Sequence, residues 1–508
     1  MDVHWMAYRQ FPYERELGLR ELEALGLTVV ADQDDVTALG DPEIVIDRAT
    51  YFDRVSSPLG TQKTVQAQTE AAHLERRGKR SGRQVTRYGL HGIHEYKGKF
   101  NPQVVRALCN IVDYDAQLLV DPFCGSGTAL IEGMRLDKDV IGIDRSPMAA
   151  FLATTKMAAC AAASKRSLRR RLETMACQVS DLLEKGQANS VSADLNPILG
   201  APSTEYLEKW FTPAAFAAIS QTLVFLYCQR RSVARQLAFT ALSSILRTVS
   251  LQLPDDLRIR RRPTPFTAPQ LAPLFADAVE KVVRGLREMD EWAPFAGSWS
   301  VHSGHADDPV LYNTAKQYSR SLVLTSPPYA TALPYVDTDR LSLVALGLTS
   351  ASCLAKTERD LVGSREWSKA ENDYWTDRRA VNQDDLPDGI LAFLESIAAA
   401  NAASGAGFRR QAVPSLLYRY FTRMSAVMGT WAEILPTDCS AVMIVGRNRT
   451  TAGGERVEIP TSEFLGEIAE MRGFKLRELL PLETWPRYGL HSSNGVTTED
   501  ALILERVR

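Results

Sequence analysis

Leu118-Leu119-Val120-Asp121-Pro122-Phe123-Cys124-Gly125-Ser126-Gly127-Thr128-Ala129-Leu130 is the stretch that decides the fold. Its apolar start reads as a short buried strand. Gly125 and Gly127 allow a tight turn with close backbone approach, which side chains would block. Ala129, Leu130, Ile131 and Met134 then give a helix, and Val140-Ile141-Gly142-Ile143 a second strand. Strand, glycine turn, helix and strand make a βαβ unit, which implies a parallel sheet covered by helices.

Further strands are expected at Trp299–His302, Ser321–Leu324, Ala441–Val445, Phe474–Leu480 and Ala501–Glu505. The fold class is therefore α/β, with a mostly parallel seven-stranded sheet. Residues 152–297 are long helical stretches with little strand character and read as a helical insertion. A second polar insertion covers 354–412. The resulting division is 1–85, 86–151, 152–297, 298–353, 354–412 and 413–508. In the first unit, leucines at helical spacing over Glu14–Gly26 give a helix, and Leu27–Val30 and Glu43–Ile46 read as short strands. This is a small α+β appendage, and residues 53–87 look like an exposed, charge-rich linker.

Composition sets limits. A chain of 508 residues that is 45% hydrophobic has ample material for a core. It contains no run of about 18 apolar residues, so no membrane span is expected. Met1-Asp2-Val3-His4-Trp5 does not resemble a signal peptide. Seven dispersed cysteines without a Cys-x-x-Cys pair argue for a reducing, cytoplasmic setting and against a zinc site. Net charge is −2, but basic residues cluster at 76–87, 165–171 and 258–263. Arg83, Arg87, Arg258, Arg260, Arg261 and Arg262 are the candidates for phosphate contacts to nucleic acid.

Ligands bind at strand C-termini where an open α/β sheet changes direction. Thr128 opens a helix whose free N–H groups face that edge. Asp121 ends the first strand. Asp144 ends the second and is placed to accept from ribose hydroxyls, with Pro122, Phe123, Arg145 and Ser146 beside these two strand ends. Position 130 is leucine, so Gly-x-Gly-x-x-Gly is not met and a nicotinamide cofactor is disfavoured. Some 200 residues later, Leu324-Thr325-Ser326-Pro327-Pro328-Tyr329 ends another strand in a loop stiffened by two prolines. Ser326 Oγ and the Pro327 carbonyl suit acceptance from an aromatic amine, Pro328 fixes the loop, and Tyr329 offers a face for stacking.

Together these stretches resemble motifs I and IV of the S-adenosylmethionine-dependent DNA amino-methyltransferases, which modify cytosine N4 or adenine N6. The resemblance implies a Rossmann-like methyltransferase fold, S-adenosylmethionine as cofactor, double-stranded DNA as partner and base flipping. His94-Glu95-Tyr96-Lys97-Gly98-Lys99-Phe100-Asn101-Pro102 resembles motif X, which implies cofactor contacts from Phe100 and Lys97. Gly304-His305-Ala306-Asp307 resembles motif III, with Asp307 accepting from the adenine amine and Ala306 offering a backbone amide. Thr325 joins the cofactor residues by its place in motif IV.

Serine in the first position of motif IV is typical of cytosine-N4 enzymes, whereas adenine enzymes usually have Asp or Asn there. The C5-cytosine class needs Pro-Cys, and no such pair occurs. The expected role is methylation in a restriction-modification or related defence system, with a cognate endonuclease or defence subunits as partners. The motif order X, I, III, IV departs from the permuted order of many Ser-Pro-Pro-Tyr enzymes and leaves the subfamily open. The alternatives are an adenine-N6 enzyme, a transfer-RNA guanosine-N2 methyltransferase, and a non-catalytic nucleic-acid-binding subunit that keeps only the fold.

Overall fold

A computed structural model describes residues 1–507, apart from 33–34, 78–81, 83, 97, 99–100, 188–191, 254–258, 264, 331–334 and 484–497. The first five strands are β1 (Asp2–Trp5), β2 (Thr28–Asp32), β3 (Asp35–Leu39), β4 (Phe52–Ser57) and β5 (Gly60–Lys63). They form an antiparallel sheet in the order β2-β3-β1-β4-β5. The remaining strands are β6 (Leu118–Asp121), β7 (Asp139–Asp144), β8 (Trp299–Ser303), β9 (Ser321–Thr325), β10 (Ser440–Gly446), β11 (Asn448–Ala452), β12 (Glu455–Ile459), β13 (Phe474–Glu483) and β14 (Thr498–Arg506). All but the β11–β12 pair join one seven-stranded sheet ordered β13-β14-β10-β9-β6-β7-β8.

Pairing is parallel from β10 through β9, β6 and β7 to β8, and antiparallel where β14 meets β10 and β13. The mostly parallel seven-stranded sheet read from the sequence is therefore present. The chain runs outward through β6, β7 and β8, then returns to the other side of β6 with β9. The switch point lies between β6 and β9.

Both faces of this sheet are covered, so its strands are apolar on both sides. Leu119, Val140, Leu322, Leu324, Val442 and Ile444 face one core, with the helices from Pro102 to Glu288. Leu118, Val120, Ile141, Val323, Met443 and Val445 face the other, with helices Asp388–Ala403, Val413–Ile434 and Thr461–Met471. The alternation follows the two-residue strand period. The helical insertion between β7 and β8 is observed, including Pro213–Cys228 and Val233–Val249, and it shares the first core rather than standing apart.

Two expectations for the N-terminal unit are corrected. Glu43–Ile46 is not a strand but part of helix Pro42–Arg48. Asp41 caps it by accepting from the Glu43 amide at 3.0 Å, and Pro42 occupies the first turn. Residues 53–87 are not simply an exposed linker. They contain β5, most of β4 and helix Val65–Arg77, and Gln66, Glu70 and His73 are buried.

The α+β appendage is joined to the rest through helix Pro102–Asp113. Glu21 is fully buried and accepts from the Thr50 amide (2.8 Å), the Thr50 hydroxyl (2.5 Å) and Asn110 Nδ2 (2.8 Å). Arg106, also fully buried, donates to the carbonyls of Asp47 (2.6 Å) and Arg48 (3.1 Å), which end helix Pro42–Arg48. Glu21→Ala removes the acceptor for three buried donors. It is expected to cost on the order of 3 kcal/mol, read as a lower urea midpoint with an unchanged m-value.

Candidate functional site

A cavity of about 630 Å³ runs along the C-terminal ends of β8, β7, β6 and β9. Pro122, Phe123 and Gly125 line it from the glycine turn, and Asp144, Arg145 and Ser146 from the end of β7. Ala306 and Asp307 follow β8, and Ser326, Pro327, Pro328 and Tyr329 follow β9. Stretches about 200 residues apart thus share one cavity.

The turn is built by glycine and by a carboxylate. Gly125 and Gly127 have φ of +50° and +82°, in the left-handed region where glycine alone is unstrained. A Cβ at Gly125 would also lie 3.1 Å from the Tyr96 ring. Asp144 accepts from the Gly125 amide through one oxygen and from the Ser146 amide through the other, each at 2.8 Å. Burial pushes its carboxyl up, to about 6, against the opposing effect of those two amides.

Asp121, Gly127, Thr128 and Thr325 do not line the cavity. They hold it together from behind. Thr325 Oγ1 donates to Asp121 Oδ1 at 2.6 Å, and the Phe123 amide donates to the same oxygen at 3.2 Å. Gly127 lets helix Thr128–Arg135 start close to Ala153, 3.3 Å from where its Cβ would be. Asp121 Oδ2 is buried with no partner among the described residues.

On the acceptor side, Tyr329 is fixed by the β10–β14 pair. Gly446 and Glu499 are cross-strand partners; Tyr329 Oη donates to Glu499, and its ring lies 2.8 Å from where a Gly446 Cβ would be. After β8, Asp307 and Asp308 both line the cavity, and Asp308 Oδ1 also caps a short 3₁₀ turn by accepting from the Val310 amide at 3.0 Å. The Ala306 and Asp307 carbonyls accept from Tyr312 (2.6 Å) and Thr430 (3.1 Å).

Lys97, Phe100, Arg83 and Arg258 lie outside the described residues. Among the described residues of the motif X segment, Tyr96 and Gly98 line the cavity. Sequence reading also missed His305, Leu361, Val362, Arg423 and Val427. Only His305 sat within a recognised motif. Among the basic candidates, Arg87 is exposed beside Lys281 and Arg284, and Arg260 is exposed. Arg261 and Arg262 also make contacts within the protein. Arg261 donates to the Lys209 carbonyl and lies over Trp210, while Arg262 donates to the carbonyls of Gln252 (3.0 Å), Thr248 (3.0 Å) and Arg247 (3.3 Å). That places Arg262 as a cation at the C-terminus of helix Val233–Val249.

Residues 93–198 match the family model of the RMKL-like methyltransferase domain. Type II methyltransferase M.MjaII of Methanocaldococcus jannaschii is 43% identical over 68 residues, 13% of this chain and 13% of that protein. Type II methyltransferase M.AvaI, from Nostoc sp. and from Anabaena variabilis, is 28% identical over 167 residues, 32% of this chain and 32% of that protein. The matches span less than a third of these relatives' length. Sheet and family model together make this a Rossmann-like methyltransferase fold.

Burial pushes the Asp121 carboxyl up to about 7, opposed by Thr325 and the Phe123 amide and reinforced by Asp144. That value lies above the ~3.9 of a free aspartate. Its stabilising contribution is therefore complete below about pH 4 and is lost as pH rises through about 7. Asp121→Asn is expected to flatten the decline in stability across that window in urea melts. An unchanged slope would count against the assignment.

Proposed function

We propose that this chain is an S-adenosylmethionine-dependent DNA methyltransferase acting on the exocyclic amine of a flipped base, N4 of cytosine. The observation that carries the reading is the shared cavity of the glycine turn, Asp144 and the Ser326–Tyr329 loop. Likeness to proteins named Type II methyltransferases supports DNA as substrate and a restriction-modification setting, in which a cognate endonuclease is the implied partner. The match of residues 93–198 to a methyltransferase-domain model supports S-adenosylmethionine as the donor.

The residues present fit that cofactor. A cavity of about 630 Å³ is of small-molecule size. Gly125 keeps side-chain atoms off the turn, and Asp144 carries acceptor capacity beyond its two backbone hydrogen bonds. When bound, S-adenosylmethionine supplies an electrophilic methyl group on sulfur.

The chain's own work is to position and polarise the acceptor. An aromatic amine is a poor nucleophile because its lone pair is delocalised into the ring. Ser326 Oγ and the Pro327 carbonyl accept from the two amine hydrogens, which favours a localised lone pair. Pro327 and Pro328 restrict the loop, so little reorganisation accompanies reaction. Tyr329, tied to Glu499, gives the flipped base a fixed face. Ser326 is the residue that favours cytosine over adenine, by the resemblance of the loop to cytosine-N4 enzymes.

Transfer of a tritiated methyl group to duplex DNA, compared with transfer RNA, tests the reading. Ser326→Ala is expected to lower transfer by about 100-fold or more while calorimetry finds cofactor affinity near that of the unsubstituted chain. Loss of cofactor binding instead contradicts the role given to Ser326. Failure of the unsubstituted chain both to bind cofactor and to transfer leaves only the nucleic-acid-binding subunit. Cofactor affinity is also expected to weaken as pH falls below about 6, because protonation of Asp144 removes an anionic acceptor.

A further inference from the structure

Neighbouring strands lie about 4.8 Å apart, so a cavity crossing β8, β7, β6 and β9 spans roughly 14 Å at the strand ends. One end holds the Ser326 loop. The other holds His305, Ala306 and Asp307 after β8. Arg423 and Val427 line the cavity from helix Val413–Ile434, whose Thr430 donates to the Asp307 carbonyl, while Leu361 and Val362 line it from a segment whose Gly363 lies against the Tyr329 carbonyl. An elongated ligand that reacts at Ser326 therefore leaves its far portion at this second end. There it meets the carboxylates of Asp307 and Asp308, with the Arg423 guanidinium and Val427 presented from the adjoining helix.

The polar groups at this end are not equivalent. Asp360 is engaged by Arg145 at 2.6 Å. Asp307 and Asp308 both line the cavity, and Asp308 Oδ1 is also a cap. Arg423 Nη1 donates to the Leu361 carbonyl at 3.0 Å, its one hydrogen bond among the described residues. A guanidinium has five N–H donors in a rigid fork, so most of its donor capacity is left for a ligand. Burial lowers its pKa, opposed by Asp307, Asp360 and Glu371. One turn earlier on the same helix, Arg419 donates to the carbonyls of Ser364 and Glu366 but does not line the cavity.

An acceptor beside a donor fork matches the amine-bearing edge of adenine, where the amine is flanked on either side by a ring nitrogen acceptor. Hypoxanthine has an oxo group in place of the amine and so reverses half of that pattern. We propose that Arg423 is a specificity-determining residue that donates to one of those ring nitrogens while Asp307 accepts from the amine. Val427, one turn along the helix from Arg423, supplies apolar contact to the ring. The inference rests on the S-adenosylmethionine reading above.

Calorimetry with S-adenosylhomocysteine and its 1-deaza- and 7-deaza-adenine analogues tests it on the full chain. The unsubstituted protein is expected to bind one deaza analogue about tenfold more weakly than the parent, the loss of a hydrogen bond from a charged donor. Arg423→Met is expected to bind the parent about tenfold more weakly and to lose that discrimination. Arg419→Met, which disturbs the neighbouring backbone anchors alone, is expected to keep it. If Arg423→Met weakens all three ligands equally, or if both deaza analogues bind the unsubstituted protein as well as the parent, the inference is overturned. Binding of none of the three overturns the cofactor reading itself.

Discussion

The Asp121 carboxylate at the sheet's switch point is the constraint around which the site is assembled. It is fully buried, and Oδ1 accepts from both Thr325 Oγ1 and the Phe123 amide. One contact holds the strand end that leads into the Ser326 loop, and the other holds the glycine turn. A buried carboxylate is costly to leave without partners, so these groups are drawn to it although 204 residues separate Asp121 from Thr325. Asp144 repeats the device one strand over by bonding the Gly125 amide. The glycine-turn side and the Ser326-loop side of the cavity are thus set relative to each other before any ligand arrives, which is the condition for efficient alignment.

The helix behind the glycine turn is anchored as firmly. Glu132, fully buried, accepts from Tyr88 (3.0 Å) and Arg135 (2.8 Å) and is hydrogen-bonded to His91 at 2.8 Å. Burial alone would raise its carboxyl, but Arg135, His91 and Arg106 outweigh burial and hold it at about 2. Tyr88 and His91 belong to the pentapeptide Arg87–His91, whose Gly89 amide donates to Glu288 at the end of the helical insertion. The second copy, at 487–491, lies outside the described residues. The first copy fastens the insertion and the helix behind the glycine turn to one another, which is the kind of support a precise site requires.

Much of this was legible in the sequence, because local rules decide strands and glycine turns. Short apolar runs with a two-residue period gave the sheet, and Gly125, Gly127, Asp144 and Ser326–Tyr329 were readable from residue type and position. Glu43–Ile46 misled because Ile44, Val45 and Ile46 favour strands, whereas Asp41 and Pro42 just before them start a helix. Residues 53–87 misled because their polar side chains find distant partners: Glu70 bonds Gln103, and His73 bonds Glu288. Arg423 could not be found at all. It lines the cavity from helix Val413–Ile434, far along the chain from the glycine turn and from both loops, with no local pattern to mark it. In the basic run at 258–263, composition does not reveal that Arg262 caps a helix.

Sequencing that reads modified bases directly, applied to DNA from cells expressing the chain, tests the central claim most directly. The account predicts N4-methylcytosine at one short recognition sequence, absent from cells without the chain. N6-methyladenine would keep the amine chemistry and overturn the choice that rests on Ser326. Unmodified DNA, or methylation at the cytosine ring carbon C5, would contradict the account.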